Sequence, residues 1–183
     1  PNRNVDKSIA GHAFADETDL VRNMSPFSRR DDIERSGAAI YSMSGWYDGG
    51  LVNSAIKRFL TVRTPGSRLI IGPWNHRGVN VSPFARRTGD FDHTTETIRF
   101  FDHYLKGVDN GIEREPAVRY YTVGAERWNT AATWPPPGSV PLTLCFGDGH
   151  ALTDAGPVAA VASDAYRVDS TAGSGQQTRW NNR

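Results

Sequence analysis

The chain has 183 residues, of which 38% are hydrophobic and 22% charged, and its formal net charge is +1. This balance gives no basic or acidic excess, which argues against nucleic acid and anionic membranes as partners, and no stretch approaches the ~20 apolar residues of a membrane helix. The single cysteine, Cys145, excludes an internal disulfide and a cysteine-based zinc cluster, and we expect it to pack in a core.

The N-terminal segment, residues 1–36, is polar and charged, and Gly11 and Pro26 interrupt it. This pattern predicts loops with one or two short helices, such as one around residues 17–23. A disordered leader is the alternative that the composition leaves open.

A strand, a helix and a second strand are predicted next. The apolar run at residues 40–43 ends at Gly45, as expected for a buried strand. Apolar residues spaced i, i+4, i+8 predict an amphipathic helix over residues 51–63. Residues 69–71 then begin a second strand, which Gly72 ends. Together these segments form one βαβ unit.

Asp48 follows the first of these strands and His76 follows the second. Parallel strands joined by a helix have their carboxyl ends at one edge of the sheet, so we expect the two side chains to meet there. A carboxylate bonded to one imidazole nitrogen fixes the tautomer, so that the other nitrogen can take the proton of a serine hydroxyl. The usual setting of that serine, G-x-S-x-G, does not occur in the chain. Either the chemistry is different or the chain begins after its nucleophile.

The segment from Asp92 to Gly107 predicts a further helix, with an Asp or Thr as N-cap and a glycine as its stop. Its apolar positions are Ile98, Phe101 and Leu105. It also carries two histidines, His93 and His103. A lone helical histidine is more often structural than catalytic, so we expect no catalytic role for either.

A metal site is the chemical alternative to the triad. Asp92 or His93 could join Asp48 and His76, since zinc and iron accept such ligands. No compact ligand spacing such as H-x-x-x-H occurs. We therefore expect neither a metal nor another cofactor.

The C-terminal part contains short runs of residues that favour β-strands, at residues 118–123, 141–146 and 166–168. Apolar and polar residues alternate in the second run, which predicts a half-buried strand. Residues 151–165 indicate an Ala-rich loop. A second domain is thus predicted to begin near residue 113, and three strands are too few to close a sandwich.

Two short motifs resemble those of a known family. G-W-Y-D-G at residues 45–49, followed by G-P-W-N-H at residues 72–76, resembles the CocE/NonD-type (cocaine esterase-like) serine hydrolases, which are related to the X-prolyl dipeptidyl-peptidases of the S15 superfamily. Residues 100–107 and 118–134 add to the likeness, and residues 23–183 can be laid on the family. Two separate motifs in the right order and spacing make the resemblance specific.

This resemblance implies an α/β fold in three parts. Residues 1–36 would be the end of a helical cap, residues 37–112 the C-terminal part of an α/β-hydrolase domain, and residues 113–183 the beginning of a truncated jelly-roll β-sandwich. It also implies that Asp48 is the triad acid and His76 the base, with the serine and the oxyanion donors in an upstream segment that the chain lacks. The chain by itself is therefore expected to be inactive.

The implied function is hydrolysis of an ester or amide in a small-molecule substrate through a serine acyl-enzyme. Trp46 and Trp74, each two residues before the acid or the base, are candidates for lining the substrate pocket, although packing is the commoner role of such residues. An X-prolyl dipeptidyl-peptidase rather than an esterase is one alternative. A non-catalytic, hydrolase-like binding module is another. The sequence leaves open whether the protein forms a homo-oligomer.

Overall fold

The computed structural model describes residues 8–9, 12–13, 25–84, 91–156, 163 and 165–172. The predicted helix around residues 17–23 lies outside them. Two short strands, β1 (Ser8–Ile9) and β2 (His12–Ala13), pair antiparallel, and helix α1 (Arg30–Ser36) precedes the main sheet. The described residues also include 3-10 turns at Pro26–Arg29, Ile112–Arg114 and Asp148–His150.

The predicted βαβ unit is confirmed. Strand β3 (Tyr41–Gly45) leads through helix α2 (Gly50–Thr61) to strand β4 (Arg68–Gly72). The two strands are parallel, and Gly45 lies opposite Gly72. Because they end at the same level, the loops that follow them emerge side by side at one edge of the sheet.

Two further strands extend this sheet beyond β4. β5 (Val118–Thr122) pairs in parallel with β4, and β6 (Arg127–Ala131) pairs antiparallel with β5, so the order is β3-β4-β5-β6. The sequence pattern predicts that Val118–Thr122 belongs to a second domain that begins near residue 113. In the structure this strand belongs to the mixed sheet, since backbone bonds such as Leu69 N–H to Ala117 O, at 2.9 Å, attach it to β4. The domain boundaries stay predictions, and this pairing favours one after β6.

Helix α3 (His93–Lys106) confirms the other predicted helix and both of its ends. The Asp92 carboxylate accepts the backbone N–H of Thr95 at 3.0 Å, which satisfies one of the unpaired donors of the first turn. Gly107 ends the helix in the left-handed region, with φ of 72°. No described helix is long and apolar enough to cross a membrane.

The buried side of α3 differs from the predicted one. Ile98, Phe101 and Leu105 are 53%, 48% and 75% exposed, whereas Phe100 is only 5% exposed. The ring of Phe100 lies 5.2 Å from that of Tyr41 on β3. Apolar residues occur on both sides of this helix, and contact with the sheet decides which side is buried.

The core lies between α2 and one face of the sheet. Its buried members come from the helix and from three strands of the sheet: Val52, Ala55, Leu69, Ile71, Val118 and Ala131. Side chains alternate between the two faces of a strand, so Ile70, which is also fully buried, points to the face that α3 covers. Burial on both faces explains why the middle of β4, residues 69–71, is continuously apolar.

The C-terminal described residues form a small hairpin of β7 (Cys145–Gly147) and β8 (Ala151–Thr153). The strand predicted over residues 141–146 therefore begins only at Cys145, and β8 lies within the predicted loop. Leu142 and Phe146 are 78% and 87% exposed rather than half-buried, since no second sheet covers them among the described residues. Residues 166–168 form no strand, and Cys145 is partly exposed.

Candidate active site

Asp48 lies in the turn that joins β3 to α2. Its backbone N–H donates to Gly45 O at 3.0 Å, and its carbonyl accepts from Leu51 N–H at 3.2 Å, so the turn is closed on both sides of the residue. The Asp48 side chain is 12% exposed. The turn therefore holds a nearly buried carboxylate at the carboxyl edge of the sheet.

His76 lies in the loop after β4, and Asn75 fixes the shape of that loop. The Asn75 side-chain oxygen accepts the backbone N–H groups of Arg77 and Val79, at 3.0 and 3.2 Å. The Asn75 backbone N–H donates to Val79 O, and Gly78 N–H donates to Asn75 O, both at 3.0 Å. Polar groups on both sides of His76 are thus bonded within the loop, which limits the positions open to its side chain.

The two side chains meet as the sequence predicts. His76 Nδ1 lies 2.8 Å from Asp48 Oδ1. A carboxylate only accepts hydrogen bonds, so the proton lies on Nδ1 and the basic lone pair of neutral His76 lies on Nε2. The His76 side chain is 52% exposed, whereas that of Asp48 is only 12% exposed. This arrangement can move a proton at Nε2 while the carboxylate stabilises the imidazolium.

Ser44 makes a further contact with the acid, and the sequence does not predict it. Its hydroxyl donates to Asp48 Oδ2 at 3.4 Å, so both carboxylate oxygens have partners on the protein. Ser44 is 8% exposed. The only sequence signal for this contact is its position one residue before the G-W-Y-D-G motif.

The acid-bearing turn and the base-bearing loop are bonded directly through their backbones. Trp46 N–H donates to Gly72 O at 2.9 Å, and Tyr47 N–H donates to Trp74 O at 3.1 Å. Gly45 makes this approach possible, since a Cβ at that position would lie 2.0 Å from Trp74 O. The distance between Asp48 and His76 is therefore set by two short backbone segments in contact.

Trp46 and Trp74 occupy different environments. The Trp46 indole N–H donates to Tyr121 O on β5 at 2.7 Å, and its ring lies 6.0 Å from that of Trp134. These aromatic residues, with Tyr47, line an open groove of about 790 Å³ that continues along residues 135–139. Among the described residues that line this groove, none is charged, which suits an apolar ligand.

Trp74 is 3% exposed and packs beneath the base-bearing loop. Its ring centroid lies 4.2 Å from that of His93, 4.9 Å from Phe91 and 5.7 Å from Trp128. A role in substrate binding stays a prediction for both tryptophans, and Trp46 is the one that borders an open groove.

Asp92 and His93, the candidates for completing a metal site, have contacts other than Asp48 and His76. Asp92 caps α3, and hydrogen bonds from the hydroxyl and then the amide of Thr95 hold the pKa of Asp92 below its usual value. The His93 ring nitrogens face Gly78 O and Met43 Sδ. Among the described residues, no three side chains of His, Cys, Asp or Glu converge in a way that suits a metal ion.

Comparison with known proteins gives consistent matches. Residues 4–78 match the model of the X-Pro dipeptidyl-peptidase (S15) family. The chain is 48% identical over 166 residues to a predicted serine esterase of Mycobacterium bovis. This match covers 90% of this chain and 26% of that protein. It is 30% identical over 121 residues to the cocaine esterase of a Rhodococcus species. That match covers 62% of this chain and 21% of the enzyme.

Among solved structures, a CocE/NonD family hydrolase from Staphylococcus aureus matches with a TM-score of 0.47 and 22% identity, over 64% of this chain and 21% of that chain. In the mycobacterial match, the chain spans about a quarter of the length of its relative.

Proposed function

Because this chain belongs to the CocE/NonD-type hydrolases of the S15 superfamily, we propose that it carries the acid and the base of a Ser-Asp-His triad. The observation that supports this role is the 2.8 Å contact of His76 Nδ1 with Asp48 Oδ1 at the ends of two adjacent parallel strands. In this proposal the serine lies in a segment outside the 183 residues.

The proposed reaction begins when His76 Nε2 takes the proton of the serine hydroxyl as its oxygen attacks the carbonyl carbon of the substrate. Asp48 stabilises the imidazolium that results. His76 then gives this proton to the leaving oxygen or nitrogen, and the bond from carbonyl carbon to leaving group breaks to form an acyl-enzyme. A water molecule then attacks the acyl carbon while His76 takes its proton. His76 returns this proton to the serine oxygen as the bond from acyl carbon to serine breaks, and the carboxylic acid product leaves.

We infer an ester of a small organic molecule as the preferred substrate class. The relative that matches 90% of the chain is named as a serine esterase, and the groove beside Trp46 is lined by aromatic and proline side chains that suit an apolar group. An X-prolyl dipeptidyl-peptidase is the second candidate. It is favoured because residues 4–78 match the model of the X-Pro dipeptidyl-peptidase family. Comparing an ester with an X-prolyl amide as substrates of the same preparation separates the two.

Labelling of the full-length protein with a fluorophosphonate probe tests the proposed triad. We expect the wild type to be labelled and His76→Ala to lose labelling, because the serine then has no base. Asp48→Asn should lower kcat by about 10⁴-fold, as the corresponding change does in the serine-protease triad by forcing the wrong tautomer. The wild-type preparation is checked for folding by circular dichroism.

A folded wild type that stays unlabelled would remove the serine-hydrolase proposal and favour the non-catalytic module. Full activity in Asp48→Asn would remove that residue from the triad. The 183-residue chain alone should not hydrolyse p-nitrophenyl esters above background, and turnover that depends on His76 would refute the placement of the serine outside it.

A further inference from the structure

We propose that His93 is a positioning residue that holds the His76 loop in the geometry needed for proton transfer, an inference that rests on the proposed function. His93 lies at the first position of α3 and is separated from Gly78 by 15 residues. Its Nε2 lies 3.0 Å from Gly78 O. This contact joins the base-bearing loop to a helix that packs on the sheet.

The contact has a defined direction. Gly78 O can only accept, so His93 Nε2 carries the proton and donates it. The backbone of Gly78 has φ of 77°, and a Cβ there would lie 2.8 Å from His93 Nε2. The loop therefore has a glycine at the point where the imidazole approaches most closely.

The imidazole of His93 is itself held on several sides. Its ring packs edge-on against Trp74 at 4.2 Å and against Phe91 at 5.0 Å. Its Nδ1 lies 3.4 Å from Met43 Sδ on β3. Because the proton lies on Nε2, this is a packing contact between Nδ1 and the thioether, and it places the imidazole against the same strand that leads to Asp48.

Gly78 also donates its N–H to Asn75 O, the carbonyl immediately before His76. Losing the His93 bond would release this turn from α3, while the bonds within the loop and the bond from Tyr47 N–H to Trp74 O remain. His76 would then sample positions away from Asp48, and a misplacement of about 1 Å is enough to cost ~100-fold in rate. Binding of substrate elsewhere in the pocket would be unaffected, so kcat should fall while KM stays constant.

The test compares variants of the full-length protein in ester hydrolysis. His93→Phe keeps an aromatic ring against Trp74 and removes the donor, and we expect kcat to fall by about 10-fold to 100-fold with KM within about twofold. His93→Gln places an amide N–H near the position of Nε2 and should restore most of the lost kcat. His93→Leu is a second variant without a donor, in case His93→Phe does not fold.

His103→Leu is the matched control. His103 lies on the same helix, and its Nδ1 makes a similar contact with a backbone carbonyl, that of Val108, at 2.8 Å. This substitution should lower the melting temperature to a similar extent as the donorless His93 variants and leave kcat unchanged. It therefore separates loss of stability from loss of positioning.

Unchanged kcat in the folded donorless variants would overturn the inference, as would a kcat for His93→Gln as low as theirs or an equal loss in His103→Leu. The proposed triad is tested separately by His76→Ala. If that variant stays active, the proposed function fails, whereas an inactive His76→Ala beside a fully active His93→Phe removes only the role of His93.

Discussion

Gly45→Ala should separate the acid from the base. A Cβ at this position would lie 2.0 Å from the carbonyl oxygen of Trp74, 2.6 Å from its carbonyl carbon and 2.8 Å from its Cβ. Real Cβ atoms essentially never lie within 3.0 Å of such neighbours, so the loop after β4 must retreat by at least about 1 Å. The bond from Tyr47 N–H to Trp74 O, at 3.1 Å, lies at this contact and would lengthen with it.

The magnitude follows from these contacts. Overpacking against backbone costs about 1–3 kcal/mol, and a lost backbone hydrogen bond costs about 1 kcal/mol, so the free energy of unfolding should fall by about 2–4 kcal/mol. A shift of about 1 Å between Asp48 and His76 should lower kcat by roughly 100-fold. Urea denaturation gives the first quantity, and ester hydrolysis per labelled active site gives the second.

Gly50→Ala serves as the control for this substitution. Nothing lies within 4 Å of a Cβ at Gly50, which begins α2. Replacing it with alanine should stabilise the protein by about 0.4–1 kcal/mol, because the unfolded chain loses conformational freedom. A Gly45→Ala variant with normal stability and normal kcat would refute the reasoning that backbone contact sets the spacing of the acid and the base.

Two further predictions concern the packing of α3. Phe100→Ala should lower the free energy of unfolding by about 3–5 kcal/mol and Phe101→Ala by much less, since their exposures are 5% and 48%; equal losses in urea denaturation would contradict the assigned face. Burial, and then the hydrogen bond from its hydroxyl to Glu96, raises the pKa of Tyr41 above its ordinary value. The unfolded tyrosine ionises near pH ~10 while the folded one stays neutral, so stability should fall as the pH rises above ~10. Tyr41→Phe should make this fall shallower in denaturation series between pH ~8 and ~11, and an identical pH dependence would exclude Tyr41 as its source.

Much of the site could be predicted because its signals are local. The strand-helix-strand pattern before Gly72 fixes the direction of both strands, and that direction brings Asp48 and His76 to one edge. The caps at Asp92 and Gly107 define α3 for the same reason, since each acts within one helical turn. The contact of acid and base required no knowledge of the rest of the chain.

Other features depend on contacts between distant segments. The pairing of Val118–Thr122 with β4 is a choice of strand partner, which the residues of the strand do not specify by themselves. The contact between His93 and Gly78 spans 15 residues, and the Trp74 ring packs edge-on against the same imidazole. The spacing of residues along a helix does not predict which distant residue a histidine will contact. The position of His93 beside the candidate site is therefore known only from the structure.

The bond from the Trp46 indole to Tyr121 O has a consequence for synthesis on the ribosome. Donor and acceptor are separated by 75 residues. At about 5–20 residues per second, translation needs roughly 4–15 s to pass from one to the other, during which the acid-bearing turn has no β5 to bind. The βαβ unit can form first, and we expect the turn to reach its final geometry only when β5 and β6 have left the exit tunnel and joined the sheet.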